Sequence, residues 1–162
     1  MKTIKAVPIT AENFAPYGFI ANITDPGDAY ELTGSGFHRD MVLVPNASSA
    51  ITAFGSLKVC KREMVIADAE YHSLAMEVMM PLDDDMVMAA APANGGEVEF
   101  DEQVAFIVPA GTMVVFRAGA WHGAPFPLHH DGTVLICLPE RTYLNDTCKI
   151  CFTDEQKIKI EV

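Results

Sequence analysis

The sequence predicts an all-β domain, a sandwich or a barrel. Three observations carry this prediction. Short apolar, β-branched runs recur between turn-forming residues, and no run shows a sustained helical period. A third is the stretch Gly111-Thr-Met-Val-Val-Phe-Arg-Ala-Gly-Ala-Trp-His122, in which Gly119 breaks a strand and turns straight into Trp and His. A β-barrel delivers an imidazole to its mouth in this way.

Met1 to Ile9 alternates (Ile4, Ala6, Ile9) and is expected as an edge strand. Thr10 to Gly18 fits one helical turn, with Thr10 as N-cap, Pro16 as the stop and Gly18 as the exit. Phe19 to Ile23 is a second short strand, and Asp25-Pro-Gly-Asp28 has turn chemistry. Leu32 to Gly36 is assigned to loop. Phe37 to Val44 is assigned to a strand that opens on His38, Arg39 and Asp40. Ile51 to Val59 and Met64 to Tyr71 are strand-like, joined through Lys61-Arg-Glu63. A period of two puts Glu70 and His72 on one face. Val78 to Leu82 follows Glu77, and Asp83-Asp-Asp85 is expected as a solvated hairpin tip. Met86 to Ala91 is apolar on both faces and reads as a central strand. Val104 to Val108 and Thr112 to Phe116 are joined through Pro109-Ala-Gly111. Asp131-Gly132 signals a hairpin before the strand Val134 to Leu138. Lys149 to Phe152 and Ile158 to Val162 complete the set. No fixed repeat and no linker divides the chain, so residues 1–162 are expected as one domain.

At 162 residues the chain can bury a sizeable core. Half its residues are hydrophobic and a fifth are charged, which excludes disorder. The formal charge of −11 opposes nucleic-acid binding, because phosphates are repelled. A small anionic substrate then needs a local cation. No apolar run has membrane-spanning length, and the first ten residues lack the apolar segment of a secretory signal. A cytoplasmic protein with no membrane partner is therefore expected, with Cys60, Cys137, Cys148 and Cys151 as reduced thiols. Cys148-Lys-Ile-Cys151 has no second CxxC and no His-x-His beside it, so it is read as two ordinary thiols.

Two constellations can carry chemistry. Glu70, His72, Glu77 and His122 offer mixed nitrogen and oxygen donors, which suit Ni, Zn, Mn or Fe. Carboxylate and imidazole are also the commonest acid–base groups, so both roles stand open. Arg39, Arg117 and Arg141 each stand beside a polar cluster, and a guanidinium holds a carboxylate through two parallel hydrogen bonds. With His38, they are the candidates for substrate binding.

Gly111-x5-Arg117-x-Gly119-x2-His122 resembles the second cupin motif, with Arg117 at its proline and Phe126 at its closing asparagine. Glu70-x-His72-x4-Glu77 resembles the first motif, with Glu in place of the first His. Among cupins the chain is similar to the ureidoglycolate lyase family. The likeness rests on Phe14-Ala-Pro-Tyr-Gly18, Glu70-Tyr-His-Ser-Leu74, Pro81-Leu82, Ala105-Phe106 and Phe116-Arg-Ala-Gly-Ala-Trp-His122. The chain departs from that family at Gly123-Ala-Pro125, where His-Pro usually follows, and at Glu77, usually Gln. It departs again at Pro139-Glu-Arg141-Thr, where the family has Asp-Arg-Gly-Gly. The resemblance implies a cupin-type double-stranded β-helix, a jelly-roll barrel with a short N-terminal helical turn. It implies a carbon–nitrogen lyase that cleaves ureidoglycolate to glyoxylate and urea. His72, His122, Glu70 and Glu77 would be its catalytic residues or its ligands to a divalent ion (Ni, Zn, Mn or Fe). It further implies a homodimer. The rival readings are a non-catalytic cupin that binds a small carboxylate, and a metal-dependent lyase or isomerase acting on another α-hydroxy acid. The altered segment after His122 is the feature that separates them.

Overall fold

The computed structural model describes residues 1–45 and 47–162, the side chains of residues 30–32 excepted. The chain opens with β1 (Lys2–Pro8) and one helical turn, α1 (Ala11–Phe14). Thr10 caps α1. Its hydroxyl accepts from the Asn13 N–H at 3.1 Å, and the Asn13 side chain accepts from the Thr10 N–H at 2.8 Å. Then come β2 (Gly18–Asn22), β3 (Tyr30–Leu32), β4 (Ser35–Phe37) and β5 (Thr52–Val59). The middle of the chain forms β6 (Val65–Ile66), β7 (Asp68–Tyr71), β8 (Glu77–Pro81) and β9 (Met86–Ala91). A 3-10 turn at Phe100–Glu102 precedes β10 (Val104–Val108) and β11 (Thr112–Phe116). Next are β12 (Trp121–His122), β13 (Phe126–Pro127) and β14 (Gly132–Pro139). The short α2 (Thr142–Asn145) leads to β15 (Cys148–Cys151) and β16 (Ile158–Glu161).

An antiparallel five-stranded sheet runs β2-β11-β8-β14-β5. A larger sheet runs β15-β7-β12-β9-β10-β1-β16-β6, with β13 also beside β9. Ala67 alone separates β6 from β7, yet the two stand near opposite ends of that order, so the larger sheet curls round on itself. Two cores result. Val87, Ala89, Trp121, Phe126 and Ile158 belong to the first, and Met86, Met88, Phe106, Phe116 and Val134 to the second. Alternate residues of β9 enter different cores, which is why Met86 to Ala91 is apolar on both faces. Among the described residues, no helix is long and apolar enough to cross a membrane.

The bounds expected for β10 and β11 hold as written, and four other expectations are corrected. β1 is no edge: it lies parallel between β10 and β16, and alternation does not report how many neighbours a strand has. Leu32 to Gly36 is no loop but spans the β3–β4 hairpin. Residues 38–44 form no strand, since Asp40 has φ 49 and leaves the extended region. Asp131-Gly132 closes no hairpin, because β13 pairs β9 while β14 pairs β5 and β8. Gly132 serves close packing: a Cβ there would sit 2.5 Å from Met86 Cε.

The acidic triplet is also not a solvated tip. Asp84 is 4% exposed and accepts from the N–H groups of His129 (2.8 Å) and His130 (3.2 Å). His129 Nδ1 adds a third contact at 2.6 Å. Asp83 takes the Thr133 N–H, and Asp85 the Ala110 N–H. Burial alone would push the Asp84 carboxyl up, but the hydrogen bonds from His129 and His130 prevail and hold it at about 2. Its stabilisation is therefore present above pH 3.8 and is lost as pH falls through about 2. Asp84→Ala is expected to destabilise the chain by about 2 kcal/mol, on the scale of hydrogen bonds to a charged group. Urea unfolding at pH 7 reads this, and the difference should shrink between pH 3.8 and about 2.

Candidate active site

Strand alternation places the site. Trp121 and His122 of β12 point opposite ways. Trp121 enters the first core edge-on to Tyr71 at 4.7 Å, and its Nε1–H donates to the Glu97 carbonyl at 2.9 Å. His122 turns to the other side and stacks on Phe116 of the second core, with ring centroids 4.6 Å apart. Gly119 makes the turn possible at φ 84, a left-handed value that favours glycine. Its N–H donates to the His72 carbonyl at 2.7 Å, which ties the two histidine segments together. β12 sets His122 opposite Glu70 of β7, and β8 opens on Glu77, opposite Phe116 of β11.

Glu70, His72 and Glu77, close together in the chain, thereby meet the distant His122. Glu77 Oε2 lies 3.0 Å from His72 Nε2 and 2.8 Å from His122 Nε2. All three are buried, and the half-buried Glu70 completes a set whose ligand atoms lie within 4.8 Å of one another. His72 Nδ1 faces the Asp146 carbonyl at 2.9 Å, and His122 Nδ1 faces the Ala120 carbonyl at 2.9 Å. A carbonyl only accepts, so each Nδ1 carries a proton. Two neutral imidazoles would then aim bare Nε2 lone pairs at a carboxylate oxygen, three acceptors with no hydrogen between them. The cluster requires a cation: either a proton on a ring or a metal ion. In the metal-free protein, burial pushes the Glu77 carboxyl up, but hydrogen bonds to His122 and His72 win and bring it to about 2. Burial likewise pushes His72 down, and Glu77 overcomes that to raise it. The donors, with backbone acceptors behind each ring, fit a divalent ion of the Zn, Ni, Mn or Fe group.

Asp146 is the residue that sequence reasoning missed. Besides its carbonyl on His72, its carboxylate accepts from the N–H groups of Ser73 (2.8 Å), Leu74 (2.9 Å) and Ala75 (2.9 Å). It thereby fixes the turn between His72 and Glu77. Thr147 adds its hydroxyl, 3.2 Å from His72 Nδ1. Nothing in Asn145-Asp-Thr147 carries a motif, and only the fold brings it to His72.

The arginines stand elsewhere. The Arg117 guanidinium donates to the Ala15 carbonyl at 2.7 Å. Arg39 lies over the Phe37 ring at 5.9 Å, and with His38 it lines a surface hollow beside Asp25 and Asp28. Arg141 is exposed at the head of α2, whose following residues reach His72.

The ureidoglycolate lyase family model matches residues 1–161. The chain belongs to the ureidoglycolate lyase family. A ureidoglycolate lyase homologue of Agrobacterium fabrum is 30% identical over 140 residues, covering 82% of this chain and 80% of that protein. The ureidoglycolate lyase of Rhodobacter capsulatus is 28% identical over 137 residues, covering 82% of this chain and 83% of its own. Among solved structures, a 3,4-ketoisomerase of Helicobacter canadensis matches with a TM-score of 0.50 at 15% identity, over 85% of this chain and 92% of that one. That likeness shows the fold alone, and it agrees with the cupin-type barrel expected for a ureidoglycolate lyase family member.

Proposed function

We propose that this chain cleaves ureidoglycolate to glyoxylate and urea at Glu70, His72, Glu77 and His122. The observation that carries the reading is the meeting of two tautomer-locked imidazoles with a buried carboxylate, in a member of this family. The assembled cluster favours this reading over a non-catalytic carboxylate binder. Ureidoglycolate is a carbinol-urea. Its hydroxyl must lose a proton, its carbon–nitrogen bond must break as the carbonyl forms, and its leaving nitrogen must gain a proton. His72, His122 and Glu77 are the groups that would hold a divalent ion. When bound, such an ion supplies the Lewis acidity that makes the hydroxyl easier to deprotonate. Glu70, the half-buried member, accepts the hydroxyl proton and returns it to the leaving nitrogen.

Arg141 is our choice for the cation that meets the substrate carboxylate. It precedes the segment that touches His72, and its φ of 60 is a value a non-glycine residue rarely adopts. Arg141→Gln is expected to raise KM about tenfold with kcat little changed, the pattern of lost binding shared by ground and transition states. The free thiols of Cys60, Cys148 and Cys151 are exposed and support a cytoplasmic setting. Among the described residues β5 pairs with β14 alone, and its Phe54 is 72% exposed, so this edge is our proposed homodimer contact. Sedimentation equilibrium should give twice the chain mass. For the reaction itself, the purified protein should release urea and glyoxylate in equal amounts, and His122→Ala should lose turnover about 10³-fold. Release of ammonia in place of urea would contradict a lyase.

A further inference from the structure

The outer torsion of a histidine is broad, so covalent geometry alone does not fix the plane of its ring. In this site that plane decides where each Nε2 points. His122 is held twice. Its Nδ1 meets the Ala120 carbonyl at 2.9 Å, and its ring lies against Phe116 at 4.6 Å with 20° between the planes. His72 lacks the second support. It meets the His122 ring at 5.3 Å, tilted by 59°, and among the described residues no ring lies flat against it. Its hold comes from Nδ1, which faces two oxygens: the Asp146 carbonyl at 2.9 Å and the Thr147 hydroxyl at 3.2 Å.

The hydroxyl can act only one way there. It lies 3.1 Å from the Thr142 carbonyl, which only accepts, so the hydroxyl proton goes to Thr142. Were that proton turned toward His72, Nδ1 would be bare, and the Asp146 carbonyl would face a lone pair at 2.9 Å. Thr147 Oγ1 is thus an acceptor, and the His72 Nδ1–H is shared between it and Asp146 as a three-centre bond. Two acceptors at separate points fix the ring plane, whereas one leaves the ring free to swing about the bond. A single carbonyl anchors both acceptors: Thr142 takes the Asp146 N–H at 2.8 Å as well as the Thr147 hydroxyl. Thr142 is itself 2% exposed, and its hydroxyl donates to the Pro139 carbonyl at 2.7 Å. The support behind His72 is therefore built from buried, directed hydrogen bonds that run back to the start of α2.

We propose that Thr147 is a positioning residue: its hydroxyl accepts from His72 Nδ1–H and holds the ring plane and tautomer that aim Nε2 at Glu77. The consequence for metal binding rests on the reading of the cluster given above. Thr147→Val removes the hydroxyl at nearly the same shape, Thr147→Ala removes it with less bulk, and Thr147→Ser keeps it. In the metal-free full chain labelled with ¹⁵N at histidine, the Nδ1–H protons of His72 and His122 are followed by NMR. The two hydroxyl-free variants should move the His72 proton upfield and speed its exchange with water, with the His122 proton unmoved. Thr147→Ser should restore the wild-type signal. Cobalt(II), titrated against a competing chelator, should bind the two hydroxyl-free variants about tenfold more weakly and Thr147→Ser as it binds wild type. A merely structural role would lower the melting temperature and leave both readings in place. An unmoved His72 proton, or wild-type cobalt affinity, in both Thr147→Val and Thr147→Ala overturns the proposal. So does a Thr147→Ser chain that loses affinity as they do. A wild-type chain that takes up no cobalt overturns the metal reading of the cluster instead, and the His72 proton then decides the role of Thr147.

Discussion

Replacing Glu77 by Gln is expected to weaken metal affinity about 10- to 100-fold while the fold survives. Glu77 touches both imidazoles, at 3.0 and 2.8 Å. The amide keeps the shape and can donate to one bare Nε2, so packing is preserved. It cannot neutralise a divalent ion as the carboxylate does. The pH dependence gives a second readout. Glu77 is lowered from 4.5 to about 2, so in metal-stripped protein its stabilisation is present above pH 4.5 and lost as pH falls through about 2. His72 is raised from 6.5, so its contribution is full below pH 6.5 and lost as pH rises through its folded value. Stripped protein should therefore melt highest between about pH 4.5 and 6.5, and Glu77→Gln should flatten that maximum. Metal-loaded protein should instead gain stability with rising pH over this range, because ligating imidazoles must be deprotonated. Unchanged metal affinity in Glu77→Gln would refute its place in the site.

Asp146→Asn is expected to lower kcat 10- to 100-fold, about the range found when residues behind metal ligands are altered. Its carboxylate gathers three N–H groups from the turn that separates His72 from Glu77. Asn retains one acceptor oxygen and turns an NH₂ group toward an N–H, so the turn loosens and the ring of His72 loses its aim. About 2 kcal/mol of stability should go with it. A merely structural role would predict that loss alone. Asp84→Ala is the control: it removes comparable hydrogen bonds on a different loop and should leave kcat and metal affinity unchanged. If the two variants behave alike at equal stability, Asp146 does not position His72.

Much of this was legible in the chain. β-branched runs gave β10 and β11 to the residue, because a strand apolar on one or both faces is written in its own side chains. The Gly119-Ala-Trp-His122 turn was legible for the same reason: the left-handed residue and the strand that follows are adjacent. The four cluster residues could be named from motif likeness, while their convergence depends on β12 lying against β7 and on β8 crossing to the other sheet. Partners of that kind are set by long-range pairing, which local pattern does not encode. For that reason β1 read as an edge, Asp84 read as solvated and Asp146 went unnoticed. The arginines are marked by their chemistry alone, and nothing local says which of them the fold brings near the cluster.

The most direct test is metal reconstitution with product analysis. Chelator-stripped protein is titrated with a divalent ion while urea and glyoxylate are measured together. Activity should return in step with the ion and reach its plateau at one ion per chain, with both products in equal yield. Full turnover by stripped protein, or a stripped chain that takes up no ion, would contradict the site described above.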